Sequence, residues 1–275
     1  MKLLIAVDME GISGVVNWDQ VTPGHAEYNR FRHIMTADVN AAIEGATRAG
    51  VEEIIVADGH WDGTNILIEE LDPRARLHSG NAAPLAMTQG IETGVDAVFF
   101  IGYHARVGSE LASLDHTWSS IRVANLWLNG NLVGETELNS AICGHYGAPV
   151  LLVSGDQTVS AQAKEWIPEV ETVQVKRATS RYSAECLHPS LAQEKITAAA
   201  EKAIEKFKAG KGPKPIQLST PVTVTVEFPK SAQCDGAALF PGAKRLDARK
   251  MEAQFEDMVS AFKGFRSLVN LADRS

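Results

Sequence analysis

The sequence predicts an α/β protein with a largely parallel, three-layer sheet core and a smaller α+β part at the C-terminus. Four short apolar runs are continuous rather than alternating: LLIAV (3–7), EIIVA (53–57), AVFFIG (97–102) and PVLLVSG (149–155). Runs of that kind suit strands buried on both faces of a parallel sheet. Helical patterns lie between them, as the crossovers of a βαβ chain require. The stretch AGKGPKPIQL (209–218), rich in Gly, Pro and Lys, then interrupts the alternation, and the period changes after it.

In chain order, the first strand runs straight into VDMEGISG, where Gly11 and Gly14 free the backbone to turn sharply. Next comes a helix with Phe31, Ile34, Met35, Val39, Ala42, Ile43 and Ala46 on one stripe, ending near Gly50. After the second and third strands, the segment from Ile121 to Val133 carries Asn129-Gly130 between apolar residues, the strongest short signal for a hairpin. A helix opens at Ser190, with Gln193 at capping-box spacing, and runs to about Phe207. Beyond the break, VTVTVEF (222–228) alternates with period two and reads as a half-buried strand. A last helix carries Phe255, Met258, Val259, Phe262, Leu268 and Val269. The expected organisation is a core over 1–210 and an α+β appendage over 211–275, with no internal repeat.

Composition narrows the function classes. Acidic residues outnumber basic ones 34 to 26, a net charge of −8, which argues against a nucleic-acid partner. Cys143, Cys186 and Cys234 are odd in number and lack C-x-x-C spacing, so they read as reduced thiols rather than disulfides or zinc thiolates. The apolar stretch at the start is too short for a secretory signal, and no stretch is long enough to span a bilayer. A cytoplasmic protein without a membrane partner is the expectation.

Chemistry gathers at strand ends. Asp8 and Glu10 follow the first strand, His60 the second and His104 the third, while Glu135 opens the helix after the hairpin. In open α/β sheets, sites form beyond the carboxyl ends of strands, so residues distant in sequence can meet there. Two imidazoles with three carboxylates form a ligand mixture suited to zinc or a similar divalent ion. Each residue also has an ordinary reading. Asp8 and Glu10 fit a solvated turn, His60 a hydrogen-bonded structural histidine, and Glu135 a carboxylate at a helix N-terminus. Asp58, two residues before His60, is a candidate to orient that ring. His116, in the polar segment SLDHTWSS, is placed to act as base, acid or nucleophile. His25, His33, His78, His145 and His188 read as structural or surface residues. Neither a nucleophile elbow nor a P-loop occurs, and GISG stands where a dinucleotide-binding glycine motif would lie.

VDMEGISG, then DGH, GYHA, the histidine of the polar loop and VGE…LN resemble the bacterial zinc-dependent D-aminopeptidases (the DppA type). GD (155–156), IP (167–168) and SR…CLHP (180–189) extend the resemblance over most of the first 190 residues. The family resemblance implies two zinc ions per subunit. Asp8 matches the ligand bridging both ions, Glu10 and His60 complete one set, and His104 and Glu135 match the other. It implies His116 as the catalytic histidine, a small peptide as substrate, and self-association into a large homo-oligomer, a decamer in the family.

The expected activity is hydrolysis of the N-terminal peptide bond of short D-amino-acid peptides such as D-Ala-D-Ala. An alternative keeps the metals but acts as an amidase or esterase on another small substrate. A metal-storing protein without catalysis is a third reading, and His116 argues against it.

Overall fold

The continuous apolar runs become strands because each buries both of its faces. In the computed structural model, which describes residues 1–80 and 83–272, the chain begins with β1 (Lys2–Val7), α1 (Tyr28–Arg48), β2 (Glu53–Asp58), β3 (Ala75–His78) and β4 (Ala97–Ile101). It continues through β5 (Asn125–Leu128), β6 (Asn131–Val133), α2 (Glu135–His145), β7 (Val150–Gly155) and α3 (Gln157–Trp166). Next come β8 (Glu171–Gln174), β9 (Lys176–Ser180), β10 (Ser183–Cys186) and α4 (Pro189–Lys208). The last elements are β11 (Val222–Glu227), α5 (Ser231–Ala237), β12 (Lys244–Arg245), β13 (Lys250–Phe255) and α6 (Met258–Ala272).

Six strands form one sheet in the order β3-β2-β1-β4-β7-β8, and every pairing in it is parallel. On one face Leu3, Ile5 and Val7 of β1 pack with the apolar stripes of α1 and α4. On the other, Leu4 and Ala6 join a cluster with residues of α2, α3 and α6. The expected three layers are present. Helices α1 and α4 approach so closely that a Cβ on Gly45 would lie 2.2 Å from the carbonyl oxygen of Thr197.

A second, antiparallel sheet has the order β12-β13-β11-β5-β6. The expected hairpin at Asn129-Gly130 supplies β5 and β6, both turn residues having positive φ. Strand β11 alternates as expected and pairs with β13 on one side and β5 on the other. One sheet therefore draws strands from both sides of residue 210.

Two local expectations are corrected. Helix α4 starts at Pro189, whose fixed φ suits the first helical position, and the ring of His188 accepts from the backbone N–H of Ser190. Ser190 is thus inside the helix, and its capping box with Gln193 does not form. Phe255 closes β13 instead of joining the last helix, and its ring fills the space above Gly264 on α6. No helix among the described residues is long and apolar enough to cross a membrane.

Candidate metal centre

The strand order reverses direction between β1 and β4, and the carboxyl ends of the strands at such a switch point are the usual place for a crevice and its site. Asp8 and Glu10 leave β1 there, His60 follows β2, and His104 follows β4. Glu135 is the first residue of α2, and His116 lies in the long connection from β4 to β5. The two central turns touch backbone to backbone, Gly11 N–H donating to Gly102 O at 2.8 Å. A Cβ on Gly11 would sit 1.9 Å from Tyr103 O. Close approach, rather than a special φ, is what requires glycine at position 11.

All six expected site residues meet in this crevice, each between 2 and 8% exposed. Asp8 stands between two pairs. Its Oδ1 is 3.3 Å from His60 Nδ1, which is also 3.1 Å from Glu10 Oε2. Its Oδ2 is 3.3 Å from His104 Nε2, which is also 3.1 Å from Glu135 Oε1. His116 Nε2 is more distant, 3.9 Å from Glu10 Oε1 and 3.8 Å from Glu135 Oε1.

The outer nitrogens of the three rings explain this orientation. His60 Nε2 faces Val21 O at 2.7 Å, His104 Nδ1 faces Ala105 O at 3.0 Å, and His116 Nδ1 faces Leu114 O at 2.9 Å. A carbonyl oxygen only accepts, so each neutral ring carries its proton on that side. The remaining nitrogen of each ring then offers a lone pair to the crevice. Glu10 Oε2 and His104 Nε2 are buried without a hydrogen bond of acceptable geometry, although oppositely charged groups lie close by. Close but undirected contacts arise when several lone pairs aim at a common point between them. Two ligands about 2.0–2.1 Å from a tetrahedral zinc ion lie about 3.3 Å apart, which agrees with the 3.1–3.3 Å spacings around Asp8. The donor set fits a divalent metal.

The electrostatics agree. Burial opposes charge on His60 and His104, yet Glu10 and Asp8 facing one ring, and Glu135 and Asp8 facing the other, outweigh it. Both imidazoles are raised well above their usual range. Burial likewise works against the Asp8 carboxylate, but the same two rings pull its pKa well below the usual value. The carboxylates thus demand positive charge between them, as protons or as a cation. His116 behaves differently: burial, and the His104 ring stacked 4.0 Å from it when that ring is protonated, push its pKa down. It is therefore neutral near pH 7, with its basic nitrogen facing the crevice.

Asp58 does not orient His60. Its carboxylate is taken up by the backbone N–H groups of Asn65 and Ile66 and by the Asn65 amide, while Val21 O fills the expected role. Two contributors gave no sequence signal. Trp118, at φ +63, donates its backbone N–H to Glu135 Oε1 at 2.7 Å, and Trp18 stands edge-on to His116. Any residue could supply that N–H, so nothing in the side chain marks it. Among the other histidines, His25 and His33 make exposed pairs with Asp19 and Glu70.

Comparison with known proteins finds relatives along the whole chain. A D-aminopeptidase from Bacillus subtilis (strain 168) is 34% identical over 276 residues, covering 100% of this chain and 99% of that protein. A solved structure, described as the Zn-dependent D-aminopeptidase DppA from Bacillus subtilis, a self-compartmentalizing protease, superposes with a TM-score of 0.95. It is 33% identical, and the match covers 100% of this chain and 99% of that one. The sequence model of the D-aminopeptidase family matches residues 1–267, and this chain belongs to that family.

Proposed function

We propose that this chain is a zinc-dependent aminopeptidase that hydrolyses the N-terminal peptide bond of short D-amino-acid peptides, D-Ala-D-Ala among them. The observation that carries the proposal is the buried nest in which carbonyl-anchored imidazoles turn lone pairs toward three carboxylates. In this reading Asp8, Glu10, His60, His104 and Glu135 would hold two zinc ions, with Asp8, which lies between the two imidazoles, facing both positions. Zinc held there would supply Lewis acidity to polarise a carbonyl and to make water a usable nucleophile near neutral pH.

The protein's own groups do the rest. His116, neutral and with Nδ1–H fixed on Leu114 O, would accept at Nε2 the proton given up by the attacking water and pass it to the leaving amine as the C–N bond breaks. The six side chains are almost fully buried, which strengthens the charge interactions among them.

The solved relative is self-compartmentalizing, and we carry that over as self-association into a large homo-oligomer, a decamer by the family resemblance. The three cysteines are unpaired, which fits a reducing, cytoplasmic setting.

The test is metal analysis with a substrate panel on one preparation. We expect two zinc ions per chain, turnover of D-Ala-D-Ala that a chelator removes and zinc restores, and far slower turnover of the L,L dipeptide. D-Ala amide and an ester separate the amidase or esterase alternative. A purified chain without zinc, or equal rates on both stereoisomers, overturns the proposal.

A further inference from the structure

Strands β9 and β10 form a two-stranded hairpin outside both larger sheets. Such a hairpin is marginal by itself in water, so its contacts with the rest of the molecule decide its place. Two of those contacts lead to the site. At the base of the hairpin, Lys176 is 2% exposed and uses all three ammonium protons. It donates to the carbonyls of Glu10 at 2.5 Å, Ile12 at 3.1 Å and Val15 at 2.7 Å. These belong to the irregular turn after β1, where neither helix nor strand would satisfy them. Burying an ammonium is costly, and the cost is visible in a pKa drawn down to about 8 by desolvation. What it secures is the backbone of Glu10.

At the tip, Arg181 reaches the loop that carries His116. Its Nε lies 3.1 Å from Asp115 Oδ1, and its Nη2 donates to Asp115 O at 2.9 Å. Its own carbonyl accepts from Leu114 N–H at 3.0 Å. Leu114 is held at φ +51, and its carbonyl fixes the proton of His116 on Nδ1. Asp115 closes the loop from the other side, accepting from Gly108 N–H at 2.7 Å.

We propose that this hairpin positions both working loops at once, Lys176 setting the Glu10 turn and Arg181 setting the orientation and tautomer of His116. The inference rests on the zinc-site reading above. Both are positioning residues, because each acts through another group: Lys176 through a metal-ligand turn, Arg181 through a loop that holds the base.

The two should therefore fail in different ways. Lys176→Met keeps the length and apolar stem of the side chain but removes its charge. Zinc affinity, measured on the assembled protein by competition with a chelating dye, should fall roughly 10- to 100-fold. Arg181→Gln, at a partly exposed position, should keep zinc affinity and thermal midpoint while kcat falls about 10²-fold with little change in KM. Should Lys176→Met fail to fold, Arg181→Gln decides alone: a kcat loss at full zinc occupancy supports the inference. Unchanged kcat, or zinc lost in Arg181→Gln, overturns it, as does unchanged zinc affinity in a folded Lys176→Met. A wild-type chain that binds no zinc would instead sink the reading of the site.

Discussion

His116 and its five neighbours share one crevice, and distance divides their roles. Around Asp8 the donor atoms lie 3.1–3.3 Å apart, whereas His116 Nε2 stays 3.8–3.9 Å from the nearest carboxylates. A ring set back by that margin suits proton transfer better than ligation. Replacing His116 by Ala should lower kcat roughly 10²- to 10⁴-fold and leave zinc content unchanged, checked by single-turnover kinetics and metal analysis. Asp8→Asn should behave oppositely. It keeps the shape but removes the negative charge that faces His60 on one side and His104 on the other, so both ions should be lost. Retention of both zinc ions in Asp8→Asn would remove the bridging role. The candidate residues were legible in the sequence because carboxylates and imidazoles at strand ends stand out chemically. Their partners were not, since Val21, Ala105 and Leu114 contribute only carbonyl oxygens, which every residue has.

At the scale of elements, the continuous runs gave the four central strands because burial on both faces leaves no room for alternation. The edge strands β3 and β8 and the hairpin β9–β10 are half-exposed and short, so their pattern does not separate from loop. Helix α1 carries a group whose placement makes a testable demand. Asp38 accepts from Ser13 N–H at 3.0 Å and Ser13 Oγ–H at 2.8 Å, and Gln193 on α4 reaches its other oxygen at 3.3 Å. It thus ties helix, turn and neighbouring helix together. Burial nevertheless raises its pKa from 3.8 to about 6. The folded chain then binds this proton more tightly than the unfolded chain, so stability from this group falls as pH rises from about 4 to 6. Urea unfolding of metal-free wild type and Asp38→Asn at both ends of that window isolates the effect. Relative to the variant, wild type should lose on the order of 2–3 kcal/mol across it. Equal pH dependence in both chains would mean that Asp38 is ionised throughout. A Cβ on Gly45 has no room between α1 and α4, so Gly45→Ala should lower stability by roughly 1–3 kcal/mol without changing zinc content.

For the molecule as a whole, the second sheet is the part least readable from sequence, because β11 must find β5 across about a hundred residues and local period carries no trace of that pairing. Its consequence is that the C-terminal 65 residues bear on the site. Leu126 and Leu128 pair with Val226 and Val224, so the hairpin after His116 is completed by a strand from beyond residue 210. Trp118, whose N–H holds Glu135, packs edge-on against Phe262 and Phe265 of α6, with the Arg266 guanidinium over its ring. That clamp keeps a non-glycine residue in the left-handed region, which is costly unless its surroundings enforce it. Residues 1–210 expressed alone would leave β5 an unpaired edge and Trp118 unclamped. The fragment should aggregate, or fold without the zinc proposed at Glu135, while the full chain should bind both proposed ions. Metal analysis and sedimentation of the two chains side by side check this. A folded 1–210 fragment with its full zinc complement would show that the site needs nothing from the C-terminal strands and α6.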